Sequence, residues 1–110
     1  MEIEFDRSFK ARLSQFLVFT TNALILFGKS YEKVTGKRWE RDYIGVKKPD
    51  SIENVINHLN ELNDEEIKDI LSDMQTRFSP PFVEKLNDIL KEELGYWLDK
   101  EGEWHKVGGD

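Results

Sequence analysis

Residues 5–34 read FDRSFKARLSQFLVFTTNALILFGKSYEKV, and the secondary structure of this stretch decides the fold. Phe5, Phe9, Leu13, Phe16, Thr20, Ala23, Phe27, Tyr31 and Val34 succeed one another at steps of three or four residues. That spacing marks one face of an α-helix with about 3.6 residues per turn. Between Phe16 and Phe27 the apolar character spreads beyond the stripe: Val18 and Ile25 fall nearly opposite Phe16, and Phe19 and Leu26 flank it. A helix apolar on all sides is buried on all sides. A hairpin of two strands, FLVFTT and ALILF, is the competing reading, because Phe, Val and Thr favour strands. The Thr21–Asn22 junction lacks the glycine that tight hairpins prefer, and the stripe runs on through both flanks. The stretch therefore predicts one long, largely buried helix over about residues 5–35.

Gly36 closes that helix, and residues 37–49 (KRWERDYIGVKKP) form a connector. Pro49 and the capping box Asp50-x-x-Glu53 open a second helix over about 51–62, with Ile52, Val55, Ile56, Leu59 and Leu62 on its apolar face. A second capping box, Asn63-x-x-Glu66, opens a third over about 64–78, carrying Ile67, Ile70, Leu71, Met74 and Phe78. Ser79–Pro80, N-cap and first helical residue, starts a fourth over about 80–99, with Phe82, Val83, Leu86, Ile89, Leu90, Leu94 and Trp97 on one side. Gly102 ends the regular structure, leaving 102–110 as a loose tail apart from Trp104. Short connections between the last three helices imply antiparallel neighbours. The expected fold is all-α: a small helical bundle in a single domain, 1–110, with three shorter amphipathic helices around the long one. If three short helices leave part of that rod bare, a second copy would cover it, giving a homodimer through the N-terminal helix.

The chain has 110 residues, 38% hydrophobic and 35% charged, and no cysteine. That composition is soluble and globular, and the missing thiols exclude disulfides, Cys-ligated metals and thiolate catalysis. The acidic start, Met-Glu-Ile-Glu-Phe-Asp, is unlike a signal peptide. The longest apolar stretch, Phe16 to Phe27, falls well short of the roughly 20 residues that a bilayer span needs. A cytoplasmic protein with no membrane contact is expected.

Charge is unevenly distributed. Residues 1–49 hold ten Lys and Arg against six Asp and Glu, a balance of +4; residues 50–110 hold six against sixteen, a balance of −10. On the third helix Glu65, Asp69 and Asp73 align at i, i+4 and i+8 opposite the apolar face, and on the fourth Glu84, Asp88 and Glu92 repeat the arrangement. Carboxylates at i, i+4 repel by a few tenths of a kcal/mol, roughly. Such rows are either ordinary solvated faces or a docking surface that steers a cationic partner. Lys68, Lys85 and Lys91 lie beside the rows, not within them.

Residues 29–48 combine Lys29, Lys33, Lys37, Arg38, Arg41, Lys47 and Lys48 with Tyr31, Trp39 and Tyr43. Aromatics among cations suit single-stranded nucleic acid, but a net charge of −6 opposes it. An intramolecular role, with Trp39 and Tyr43 completing the core, is the simpler reading. His58 and His105 read as surface histidines without metal partners. Glu93 conflicts with the apolar face of its helix: snorkelling or cover by a partner would accommodate it, but a structural ion pair with a cation of the 37–48 segment is expected.

No Gly-rich phosphate loop, G-x-S-x-G or H-E-x-x-H occurs, so neither an enzyme nor a bound cofactor or metal is expected. The expected function is that of a small acidic binding protein that inhibits a basic protein partner by surface occlusion. In size, acidity and lack of catalytic groups it is of the kind seen in immunity proteins against nuclease toxins and in phage anti-defence inhibitors, though no motif assigns it to a family. The expected contact residues are the six carboxylates Glu65, Asp69, Asp73, Glu84, Asp88 and Glu92, with Trp97 or Trp104 as the desolvated anchor. The alternatives are a structural homo-oligomer and a nucleic-acid adaptor using 29–48.

Overall fold

Asn22 adopts a left-handed backbone, φ 68°, and there the expected long helix breaks in two. The computed structural model of the chain describes residues 3–20, 22–39 and 52–109. Helix α1 spans Arg7–Phe19 and α2 spans Ala23–Thr35, with axes 118° apart. The single helix over 5–35 is thus corrected to a bent pair. Its periodicity was sound, since Phe9, Leu13, Phe27 and Ala23 are all fully buried. The break has a local cause in Thr20-Thr21-Asn22: β-branched residues lose rotamer freedom in helices, and asparagine tolerates the left-handed conformation. It also has a global one. A rod of about 30 residues is about 45 Å long, whereas folding it back lets both halves share one core.

Asp6 caps α1 by accepting the Phe9 N–H at 2.9 Å. The later helices are α3 (Ile52–Asn60), α4 (Asp64–Arg77) and α5 (Pro80–Leu94). The Asn63/Glu66 capping box forms in both directions, at 2.8 and 3.0 Å. Ser79 occupies the N-cap of α5, but its hydroxyl makes no capping bond. Helix α3 packs on α1, α4 on α2, and α5 on α1. The expected antiparallel pairing of consecutive helices is not the principal packing, because the bent N-terminal pair offers each later helix its own apolar surface. The core gathers Val55, Leu59, Ile67, Ile70, Leu71, Met74, Leu86 and Leu90, all fully buried, around α1 and α2. Each such side chain contributes about 1.5–3 kcal/mol relative to exposure.

Past Leu94 the expectation fails again. The helix expected to reach residue 99 stops at Gly95, whose φ of 78° and N–H bonds to the Leu90 and Lys91 carbonyls form a left-handed C-cap. Strand β1 (Tyr96–Leu98) then pairs antiparallel with β2 (Trp104–Lys106), aligning Tyr96 with Lys106, Trp97 with His105 and Leu98 with Trp104. The tail expected to be loose is therefore half of a hairpin. Trp97 misled because it falls three residues after Leu94, on the helical stripe.

Trp39 is buried against Gly28, Phe27 and Tyr31, the core role expected for it, and its backbone N–H donates to Glu32 Oε2 at 2.8 Å. Arg41, Tyr43, Lys47, Lys48, Pro49 and the Asp50 half of the first capping box lie outside the described residues. Among the described residues no single helix is long and apolar enough to cross a membrane.

Candidate docking surface

The two carboxylate rows survive in part. Glu65 and Asp69 on α4 and Glu84 and Asp88 on α5 are exposed and make no ion pair among the described residues. Asp73 and Glu92, the end of each row, are engaged within the chain. Asp73 is only 12% exposed and pairs with Lys33 of α2 at 3.0 Å and Arg77 of α4 at 2.7 Å. Burial pushes its carboxyl up, but interactions with Ser30, Arg77 and Lys33 together outweigh burial and hold it below its ordinary value. Glu92 pairs with Arg12 of α1. Glu93 joins it, accepting from Ser8 Oγ at 2.8 Å and lying 3.4 Å from Arg12. Glu93 lies in an ion pair as expected, but its cation is Arg12 of α1 and not one from the 37–48 segment.

Helix α4 runs Asp69, Asp73, Thr76 along one face, and Thr76 lines a cleft. Glu84, the first residue of the α5 row, lies on the rim of the same cleft. The connection Phe78–Ser79 joins the end of α4 to the start of α5, so Asp73 and Glu84 are the row members nearest the cleft in sequence, and Glu65 lies at the far end of α4. The cleft has a volume of about 750 Å³; Phe78, Pro80, Val83 and Trp97 give it apolar walls, and Glu84, Asp99 and Glu101 stand against the single cation Lys100. A concave apolar site with a few polar groups is the usual form of a binding pocket.

The hairpin is held to the helices by side chains that substitute for a third strand. Asn87 of α5 donates from Nδ2 to the Leu98 carbonyl at 3.0 Å and accepts the Leu98 N–H at 2.8 Å. Gln75 of α4 donates to the same carbonyl at 3.1 Å, and the Ser72 hydroxyl donates to the Gly102 carbonyl. Gln75 is 4% exposed, and its Oε1 accepts no hydrogen bond among the described residues.

Trp97 and Trp104, both expected as exposed anchors, are half-buried and differ in role. Trp104 packs edge-on against Phe5, with ring centroids 6.1 Å apart, and belongs to the core. Trp97 lines the cleft and stacks on His105 at 4.4 Å. His105 Nε2 lies 2.8 Å from Asp99 Oδ2, and Asp99 Oδ1 accepts the N–H groups of Glu101 and Glu103. His105 first, then the Glu103 and Glu101 amides, hold the Asp99 carboxyl below its ordinary value. His58, read as a surface residue, instead packs edge-on to Trp39 at 4.7 Å.

Gln75 and Asn87 escaped the sequence reading. Their signal was present: each is a polar residue next in sequence to the buried Met74 or Leu86, and mid-helix amides in that position often bond to a neighbouring backbone. Among the described residues no group of three or more His, Asp or Glu is placed to hold a metal ion. No protein-family model, curated protein or solved structure matches the chain.

Proposed function

We propose that the chain is a small acidic binding protein that neutralises a basic protein partner by covering its surface, with a nuclease or toxin as the class of target. The carrying observation is the set of four exposed row carboxylates, Glu65, Asp69, Glu84 and Asp88, that make no ion pair among the described residues, on helices whose junction borders an apolar cleft. Carboxylates without internal partners retain their full field for steering a cationic surface. The apolar cleft supplies what steering lacks, a desolvated anchor that slows dissociation.

The test is capture of a partner by the wild-type chain, followed by kinetics with Glu65, Asp69, Glu84 and Asp88 all changed to Lys. A basic partner whose activity is lost on binding, and whose association rate falls steeply with salt for wild type only, supports the reading. Equal association by the reversed variant overturns it.

A second reading rests on the corner between α1 and α2. Phe19 is 75% exposed there and Ile25 40%, and no charged residue occurs from Leu13 to Gly28. A homodimer joined at this corner would bury both side chains without opposing charges. Sedimentation velocity at micromolar concentration decides it, a monomer counting against the dimer.

A further inference from the structure

We propose that the cleft between the end of α4, the start of α5 and β1 is an arginine-binding pocket, taking one arginine side chain from the basic partner. This rests on the docking reading and gives that partner's anchor a chemistry. Two features of the cleft select the occupant.

The first is charge. Glu84 and Glu101 on the rim make no ion pair among the described residues, while Asp99 is already engaged by His105 and two backbone amides. Two carboxylates therefore remain for an incoming cation, opposed only by Lys100.

The second is the aromatic wall. His105 stacks on Trp97 at 4.4 Å and 22° between planes, fixing the indole, and Trp97 lines the cleft. A flat cation over an indole is favoured by the ring quadrupole, and a guanidinium stacks better than an ammonium. Phe78 and Val83 line the same space, where they would meet the apolar stem of a long cationic side chain.

The probe is acetyl-Gly-Leu-Arg-Leu-Gly-amide, titrated into the full ¹⁵N-labelled chain, beside the same peptide with citrulline, which keeps the shape and loses the charge. The expected result is movement of the Trp97 indole N–H and Gln75 side-chain amide signals, with binding about tenfold weaker for citrulline. Glu84→Gln with Glu101→Gln, both at exposed sites, should weaken the arginine peptide by a similar factor and leave the spectrum of the free protein intact. Equal binding of both peptides, or shifts confined to Glu65 and Asp69, overturns the pocket. Reversal of Glu65 and Asp69 separates the two ideas. If that reversal still slows the basic partner while the peptide ignores the cleft, docking stands and the arginine pocket falls.

Discussion

Gly28 of α2 and Trp39 are in such close contact that a Cβ built on the glycine would lie 2.7 Å from Trp39 Cδ1 and 2.9 Å from Cγ. Those atoms are at the root of the indole, and the ring is held by Phe27, Tyr31 and His58, so it cannot swing aside. Gly28→Ala gains about 1 kcal/mol of helix propensity but forces a shift in a packed aromatic cluster, which typically costs about 1–3 kcal/mol. The clash wins. A net loss of about 1 kcal/mol is expected by urea denaturation, with a changed Trp fluorescence maximum; a stabilised variant would show that Trp39 does not rest on Gly28.

The corner at Asn22 is a second test. Holding a residue with an ordinary Cβ in the left-handed region costs about 1–2 kcal/mol. Asn22→Ala should therefore destabilise the fold by about 1 kcal/mol, and Asn22→Gly should leave it unchanged or slightly more stable. If alanine is the better of the two, α1 and α2 prefer to run on as one helix.

Asn87 tests the attachment of the hairpin. Its side chain provides both hydrogen bonds to the Leu98 backbone that a neighbouring strand would make. Asn87→Ala strands a buried N–H at Leu98, while the carbonyl keeps Gln75. A loss of about 2 kcal/mol follows, together with faster amide exchange at Leu98. Exchange unchanged at that amide would show that the hairpin is held by its own ladder.

Acid should loosen the hairpin. The Asp99 carboxyl is held below its ordinary value by His105 and the Glu103 and Glu101 amides. A carboxyl depressed in the folded state stabilises fully above the unfolded value, and that stabilisation is lost as pH falls through the folded one. Amide protection at Glu101 and Glu103 should hold steady down to the ordinary carboxylate range and drop below it. Asp99→Asn should give lower protection throughout and remove the step.

Much of the architecture was legible in sequence because helices announce themselves locally. The Asn63/Glu66 box and Ser79–Pro80 mark helix starts through groups only a few residues apart, and the stripes of α4 and α5 name their buried faces. The carboxylate rows were legible for the same reason. Their fate was not, because Lys33 neutralises Asp73 from 40 residues away and Arg12 neutralises Glu92 from 80. The cleft was hidden entirely: its walls come from α4, α5 and β1, and its polar groups, Gln75 and Asn87, have no meaning until Leu98 lies beside them.

Local pattern by itself determined that this chain is helical, which faces are apolar and where the negative charge accumulates, since each depends on neighbours within one or two turns. Only the tertiary structure decided that the N-terminal stripe folds back at Asn22, that Trp104–Lys106 form a strand, and which four of the six row carboxylates make no ion pair among the described residues. The physical reason is burial. A long apolar rod exposes more surface than three short helices can cover, and the bend at Asn22 turns its main stripe into a shared core while leaving Phe19 and Ile25 exposed at the corner.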